Sequence, residues 1–142
     1  MTTHHALDIA AKTLASGGIV AHALEGVWGL ACDPFDADTV VRVLRMKNRT
    51  MAKGLILIAA AAEDFDEELC DLGADERRAV VDSWPGAVTW TVPNKRFPGW
   101  ITGQYSTVAI RVPGHDQARA LAARFGSPII STSANVSGRP PA

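Results

Sequence analysis

Three short hydrogen-bonding side chains occupy alternate positions in IISTSANVSG, residues 129–138. Alternate side chains of an extended chain point to the same side, so Ser131, Ser133 and Asn135 would form one row. Such a row is typical of an ordinary turn, because serine and asparagine are common turn residues. It is equally typical of the wall of a polar ligand site. The segment by itself leaves both interpretations open.

A second candidate is the basic segment RMKNRTMAKG, residues 45–54. Lys47 and Arg49 are two positions apart, so in extended chain just past a helix end they share a side, with their Cα atoms about 6.6 Å apart. Two cations at that spacing suit neighbouring phosphates of a polyphosphate chain. The alternative is structural, because basic residues also complement the partial negative charge of a helix C-terminus.

Other common chemical motifs are missing from the sequence. It contains no GxxxxGK[ST] or GxGxxG phosphate loop and no GxSxG nucleophile elbow. Cys32 and Cys70 lie 38 positions apart without zinc or CxxC spacing, so we expect both to be reduced and structural. No metal is expected, since the four histidines lack ligand spacing. They are His4, His5, His22 and His115.

Length and composition predict one soluble domain over residues 1–142, with 47% hydrophobic and 20% charged residues. No run approaches the ~18 apolar residues of a membrane span. The N-terminal MTTHHALDIAAKT lacks the charged start and apolar middle of a signal peptide. We therefore expect a cytoplasmic protein.

Charge is distributed unevenly along the chain. The segment 63–76 holds eight of the 15 acidic residues and no basic one, which leaves 14 basic against seven acidic residues elsewhere. This asymmetry indicates that an anionic ligand meets the chain away from 63–76. A solvated acidic helix explains the cluster equally well.

Helical and strand-like segments alternate, which predicts an α/β sheet domain. Helices are expected at 6–16, from a cap at Asp36 or Asp38, at 74–84 and at 115–126, with Gly17 and Gly18 ending the first. Strands are expected at GIVAHA, at the central LILIAA (55–60), and at 87–93, 107–113 and 128–131. Ligands of such sheets sit at the carboxyl ends of strands, where the serine row lies.

Four segments in this order resemble the YrdC/TsaC family of threonylcarbamoyl-AMP synthases over nearly the whole chain. They are KNRTMAKGLILIAA, SWPGAVTWTVP, STVAIRVP and STSANVSGRPP. The KxR and SxN pairs of that family match Lys47, Arg49, Ser133 and Asn135. The resemblance implies a single twisted mixed-sheet α/β domain with helices around a positively charged concave cavity.

The resemblance also implies an activity and the residues that perform it. The enzyme would join ATP, taken with Mg²⁺, to bicarbonate and L-threonine, giving threonylcarbamoyl-AMP and pyrophosphate for tRNA modification by downstream proteins. Lys47 and Arg49 would hold phosphates. Thr107, Ser133 and Asn135 would contact the nucleotide. Arg111 and Ser131 would contact the threonine.

Two features depart from the family pattern. In HALEGVWG, residues 22–29, Ala23 and Leu24 stand where proline and threonine are expected. Leu24 lacks the hydroxyl that binds substrate threonine in the family, which puts substrate identity or efficiency in question. The chain ends at Ala142, whereas family members continue with segments that cover the cavity, so we expect the usual C-terminal segment to be missing.

Two other functions fit the same segments. A catalytically weakened module could hold nucleotide, tRNA or double-stranded RNA in a basic concavity, and its affinity would fall steeply with salt. The acyl acceptor could also differ, as in related hydrogenase-maturation domains, although those domains lie in much larger chains.

Overall fold

A computed structural model describes residues 4–24, 27–47 and 55–133, and the side chains of 5–22, 29–46 and 55–132. The helices are α1 (His4–Ala15), α2 (Ala37–Lys47), α3 (Asp66–Leu69), α4 (Ala74–Asp82), α5 (Gly99–Thr102) and α6 (Asp116–Phe125). The strands are β1 (Val20–Leu24), β2 (Val27–Cys32), β3 (Ile56–Ile58), β4 (Trp90–Pro93), β5 (Thr107–Arg111) and β6 (Ile129–Ser133). A 3₁₀ turn, Ala62–Phe65, precedes α3.

The six strands form one mixed sheet in the order β1-β2-β6-β3-β5-β4. Strands β3 and β5 run parallel, and the other neighbouring pairs are antiparallel. The predicted mixed α/β fold and the central position of β3 are thereby confirmed. The sequence did not predict β2, which pairs with β1 and separates it from β6.

Helices cover one face of the sheet completely, and we call it the covered face. Leu57, Ile110 and Ile130 point into this side, where α2 to α5 pack against the strands. The helical residues buried here are Val40, Val43, Leu44, Leu69, Val80 and Ile101. This larger apolar cluster supplies most of the core that positions the strands.

The opposite face is covered at one end by α1 and α6. Ile58 and Ile129 pack there against Leu14 of α1 and Leu121 of α6, with Ala31 beside them. Two residues further along β3 on the same side, Ile56 is 39% exposed. Among the described residues, the helices therefore leave the other end of this face uncovered, and we call that end the open face.

Local signals explain where the helices begin and end. Asp36 caps α2, since its Oδ1 accepts a hydrogen bond from the Thr39 N–H at 3.2 Å. Gly17 follows α1 with φ +89° and Gly126 follows α6 with φ +89°, a conformation that glycine adopts without steric cost. These predicted starts and stops are confirmed. Helix α2 continues to Lys47, so Lys47 is its last residue rather than a residue beyond it.

The acidic segment 63–76 is more than a solvated surface helix. Glu68 is 1% exposed and receives two hydrogen bonds from Arg96, at 3.1 Å from Nε and 2.9 Å from Nη2. Arg96 Nη2 also donates to the Asp64 carbonyl at 2.6 Å. Part of the acidic charge is therefore neutralised inside the fold by a basic residue from the segment after β4.

The two cysteines are both free, as expected, but only one is structural. Cys32 is buried on β2, and burial, followed by Asp33 and Asp36, raises the pKa of its thiol to about 12. Cys70 is exposed, so the expected structural role does not hold for it. Within the described ranges, no helix has the length and apolar character to cross a membrane.

Candidate active site

Among the described side chains, this part of the sheet carries two buried polar ones, His22 on β1 and Ser131 on β6. The pairing registers align His22, Gly29 and Ser133 across β1, β2 and β6. Ala31 and Ser131 are partners one step further toward the helices. The side chains of Ala31 and Ser131 therefore share the face on which α1 and α6 pack. Along β6, the polar Ser131 follows the apolar Ile129 on this face.

Ser131 is held by a histidine from a distant part of the chain. Its hydroxyl lies 3.1 Å from His22 Nε2, and the residues are 4% and 8% exposed. Strand β6 extends through Ser133, so the predicted extended conformation is confirmed for the first two positions of the serine row. Asn135 and the side chain of Ser133 lie outside the described residues.

Thr107 and Arg111 lie at the two ends of β5. Together with Ala109 they alternate with the buried Val108 and Ile110, so all three face away from the covered face. Thr107 and Arg111 are four residues apart, or about 13 Å along the strand. The predicted nucleotide contact and the predicted threonine contact are thus well separated.

Arg111 is oriented by the chain that precedes β4. Its Nε donates a hydrogen bond to the Gly86 carbonyl at 2.9 Å, and the Gly86 N–H donates to the Val112 carbonyl at 2.9 Å. The SWPG segment therefore fixes the direction in which the guanidinium leaves β5. Its expected role toward a carboxylate stays a prediction.

The basic pair is described only in part. The backbone of Lys47 closes α2, and β3 begins at Ile56 after the intervening segment. The side chain of Lys47 and all of Arg49 lie outside the described residues. Since β3 is antiparallel to β6, the start of β3 and the end of β6 lie at the same edge of the sheet. The start of β3, which follows the basic segment in the chain, thus lies beside the part of β6 that carries Ser131.

A cavity of about 300 Å³ lies at the opposite end of the sheet, next to residues that follow β3 and β5. Arg119 is its cation, and the guanidinium already donates to the Pro113 carbonyl at 2.7 Å and pairs with Asp116. The remaining lining is mostly apolar, with one carboxylate. It consists of Ala60, Ala61, Ala62, Glu63, Val81, Trp84, Pro85 and Val112. This cavity therefore lacks a cation available for phosphate.

In the part of the chain that the structure describes, no three His, Cys, Asp or Glu side chains come together to form a metal site. Sequence reasoning overlooked His22, whose partner Ser131 is 109 residues away. The available signal was a histidine within the otherwise apolar strand segment GIVAHAL. A buried polar residue in such a strand needs a partner.

Fold and site together define an α/β domain whose mixed sheet presents a polar, partly open face to a ligand. The model of the Sua5/YciO/YrdC family, described as Telomere recombination, matches residues 12–142. The chain therefore belongs to this family, which confirms the resemblance seen in its motifs.

Two curated relatives with the name threonylcarbamoyl-AMP synthase are similar to most of the chain. The protein of Cellvibrio japonicus is 44% identical over 137 residues, covering 96% of this chain and 72% of the relative. That of Stutzerimonas stutzeri is 47% identical over 133 residues, covering 93% and 71%. Both alignments take in the segments that carry the predicted site residues up to β6.

The fold is also similar to a solved structure, P. abyssi Sua5 complexed with L-threonine, with a TM-score of 0.90 and 31% identity. The match covers 99% of this chain and 42% of that chain. This chain thus corresponds to less than half of the solved protein.

Proposed function

We propose that this chain is a threonylcarbamoyl-AMP synthase, a nucleotidyltransferase that joins ATP, bicarbonate and L-threonine and releases pyrophosphate. The observation that carries the proposal is 44% identity over 96% of the chain to a relative of that name. The threonine complex of P. abyssi Sua5 supports L-threonine as a substrate. These similarities favour the synthase over a module that only binds nucleotide or RNA.

The site residues divide the two substrates between two regions of the sheet. Lys47 and Arg49 hold the phosphates, while Thr107, Ser133 and Asn135 contact the nucleotide. Arg111 and Ser131 contact the threonine. The 13 Å or so between Thr107 and Arg111 along β5 supports this division, because two substrates that react at one point need separate binding regions.

Catalysis by this site is mainly electrostatic. The carboxylate of the carbamate formed from bicarbonate and threonine attacks the α-phosphorus, and negative charge increases on the phosphate oxygens. Fixed cations such as Lys47 and Arg49 stabilise that charge without a protein base. Mg²⁺ arrives with ATP as part of the substrate, because phosphate oxygens supply much of its coordination.

Pyrophosphate release by the purified chain tests the proposal. ATP, Mg²⁺ and bicarbonate are supplied with and without L-threonine, and we expect release only when both threonine and bicarbonate are present. Release independent of threonine, or ATP binding without any release, would contradict the synthase. The second outcome, together with RNA affinity that falls steeply with salt, would support the binding module.

Replacing the phosphate-binding lysine gives a sharper test. Lys47→Ala should lower the rate of pyrophosphate release by about 10²–10³-fold, the usual cost of removing one fixed donor from a developing oxyanion. Lys12→Ala, on exposed α1, removes the same charge away from the site and should leave the rate unchanged. Equal rates for the two variants would show that Lys47 does not take part in catalysis.

The product has a further implication. A mixed anhydride of a carbamate and AMP hydrolyses readily, so a second protein must take it up for tRNA modification. We place this transfer in the cytoplasm as part of the proposal. Incorporation of ¹⁴C-threonine into tRNA by the tRNA-modifying protein, compared with and without this chain, measures the transfer directly.

A further inference from the structure

We infer that His22 is a positioning residue that fixes the Ser131 hydroxyl toward the substrate amino acid. The inference rests on the proposed function, since it assigns the open face beside Ser131 to L-threonine. It gives a role to a residue to which the sequence motifs assigned none. His22 acts through Ser131 and is not itself placed in contact with the substrate.

The two side chains meet across β2, where the intervening residues are small. Strands β1 and β6 both pair with β2, so His22 and Ser131 lie on opposite sides of it. Their nearest partners on β2 are Gly29 and Ala31, the two smallest residue types. The imidazole therefore crosses β2 without a bulky side chain in its way and reaches the Ser131 Oγ at 3.1 Å.

Burial makes this contact a strong constraint. His22 and Ser131 are among five buried polar or charged residues of the described chain. An interior hydrogen bond is strengthened by the low local dielectric, and its loss leaves a buried polar group unsatisfied. The serine rotamer is therefore selected by the histidine even before a ligand arrives.

The bond also sets the hydrogen-bonding polarity of Ser131. A hydroxyl has one hydrogen to donate and two lone pairs to accept. If Nε2–H donates to Oγ, the serine hydrogen is left to donate to an acceptor of the ligand. If Nε2 accepts, the serine hydrogen is taken and a lone pair faces the ligand. Either tautomer gives the hydroxyl one direction, which a freely rotating serine lacks.

Calorimetric titration of L-threonine and of ATP into the purified chain measures the effect. His22→Ala should weaken threonine binding about tenfold, the equivalent of one lost hydrogen bond, with ATP affinity unchanged. Ser131→Ala should give a similar loss. The double variant His22→Ala/Ser131→Ala should be no weaker than the weaker single variant, because both substitutions remove the same directed hydroxyl.

Two further variants separate positioning from general stability. His22→Gln places an amide nitrogen near the position of Nε2 and should restore threonine affinity to within about threefold of wild type, as one retained hydrogen bond requires. Thr39→Val is the matched control. It removes another buried side-chain hydrogen bond, from Thr39 Oγ1 to the Gly17 carbonyl at 3.0 Å, and should leave threonine affinity unchanged.

The outcomes distinguish this inference from the proposed function. Losses that multiply to about a hundredfold in the double variant would show independent residues and overturn the inference. Equal weakening of ATP and threonine, or failure of His22→Gln to restore binding, would also overturn it. Threonine binding to wild type without pyrophosphate release would overturn the synthase alone. No threonine binding to wild type would overturn both.

Discussion

A buried polar side chain on each face of the sheet pairs with a distant residue, and the two pairs differ in charge and in the number of hydrogen bonds between their members. On the covered side, Arg96 makes two hydrogen bonds to Glu68 and a third to a carbonyl, and it lies 4.9 Å above the Phe97 ring. On the other face, a neutral hydrogen bond joins His22 to the Ser131 hydroxyl. Arg96 and Glu68 therefore retain little capacity to hydrogen-bond a ligand. The Ser131 hydroxyl can still make a further hydrogen bond.

This difference indicates separate roles for the two pairs. A charge pair enclosed by its own chain contributes to folding, because any missing partner leaves a charge buried. A hydroxyl oriented by a neighbouring side chain and not enclosed by a charge pair contributes to recognition. Substitutions on the covered side should therefore change stability and leave ligand affinity unchanged, whereas those at His22 and Ser131 should change threonine affinity.

The largest effect is expected from Arg96→Ala. It leaves Glu68, 1% exposed, as an uncompensated buried carboxylate, which costs about 3–5 kcal/mol of unfolding free energy. Urea unfolding measures the loss. Arg77→Ala is the matched control, since its pair with Asp66 is exposed and should contribute at most about 1 kcal/mol.

Threonine affinity of folded Arg96→Ala sharpens the comparison further. We expect the dissociation constant to match wild type at a temperature where the variant is folded. A stability loss as small as that of Arg77→Ala would show that the buried pair is unimportant for folding. Weakened threonine binding would show that the two sides are coupled.

The next effect concerns Cys32, whose thiol faces the covered side. Its folded-state pKa of about 12 lies above the ordinary thiol pKa of 9.0, so folding favours the protonated thiol. This contribution is complete below pH 9 and is lost as pH rises toward 12. The free energy of unfolding should therefore be about 1.4 kcal/mol lower at pH 10 than at pH 8.

Urea unfolding of Cys32→Ala at the two pH values isolates the thiol. The decline from pH 8 to pH 10 should be smaller in this variant than in wild type, whatever its stability at pH 8. Cys70→Ala, which removes an exposed thiol, should keep the wild-type decline. An identical decline in all three proteins would contradict the link between burial and ionisation.

Much of the fold could be predicted from local signals. The starts and stops of α1, α2 and α6 follow from Gly17, the Asp36 cap and Gly126, because these act on the backbone next to them. Strand β2 was missed, since VWGLAC contains a glycine and lacks strict alternation. Its place between β1 and β6 depends on pairing with a strand about a hundred residues away.

In the candidate site, too, signals within one segment could be read from the sequence, whereas contacts between distant segments could not. The family resemblance implied Ser131, Thr107 and Arg111, because the motifs that carry it are each visible within one segment. Neither the His22 contact nor the bond from Arg111 to Gly86 could be predicted, since each depends on tertiary packing between distant segments. Charge counting likewise missed that Glu68 is neutralised internally.

The smallest effect is expected where β1 ends on the open face, at Leu24. Family members are expected to have a threonine at this position, and one added hydrogen bond to the substrate is worth about 0.5–1.5 kcal/mol. Leu24→Thr should therefore tighten L-threonine binding by up to about tenfold, measured by calorimetry. Leu24→Val has nearly the shape of threonine without its hydroxyl and is the control.

Only an improvement of the threonine variant over the valine variant can be assigned to the hydroxyl. Equal affinities would mean that position 24 does not contact the substrate, and the open face would then recognise threonine mainly through Ser131 and its histidine. A gain that persists in Leu24→Thr/His22→Ala would make the two contacts independent. A gain that vanishes there would mean that the new hydroxyl is used only when Ser131 already holds the amino acid in place.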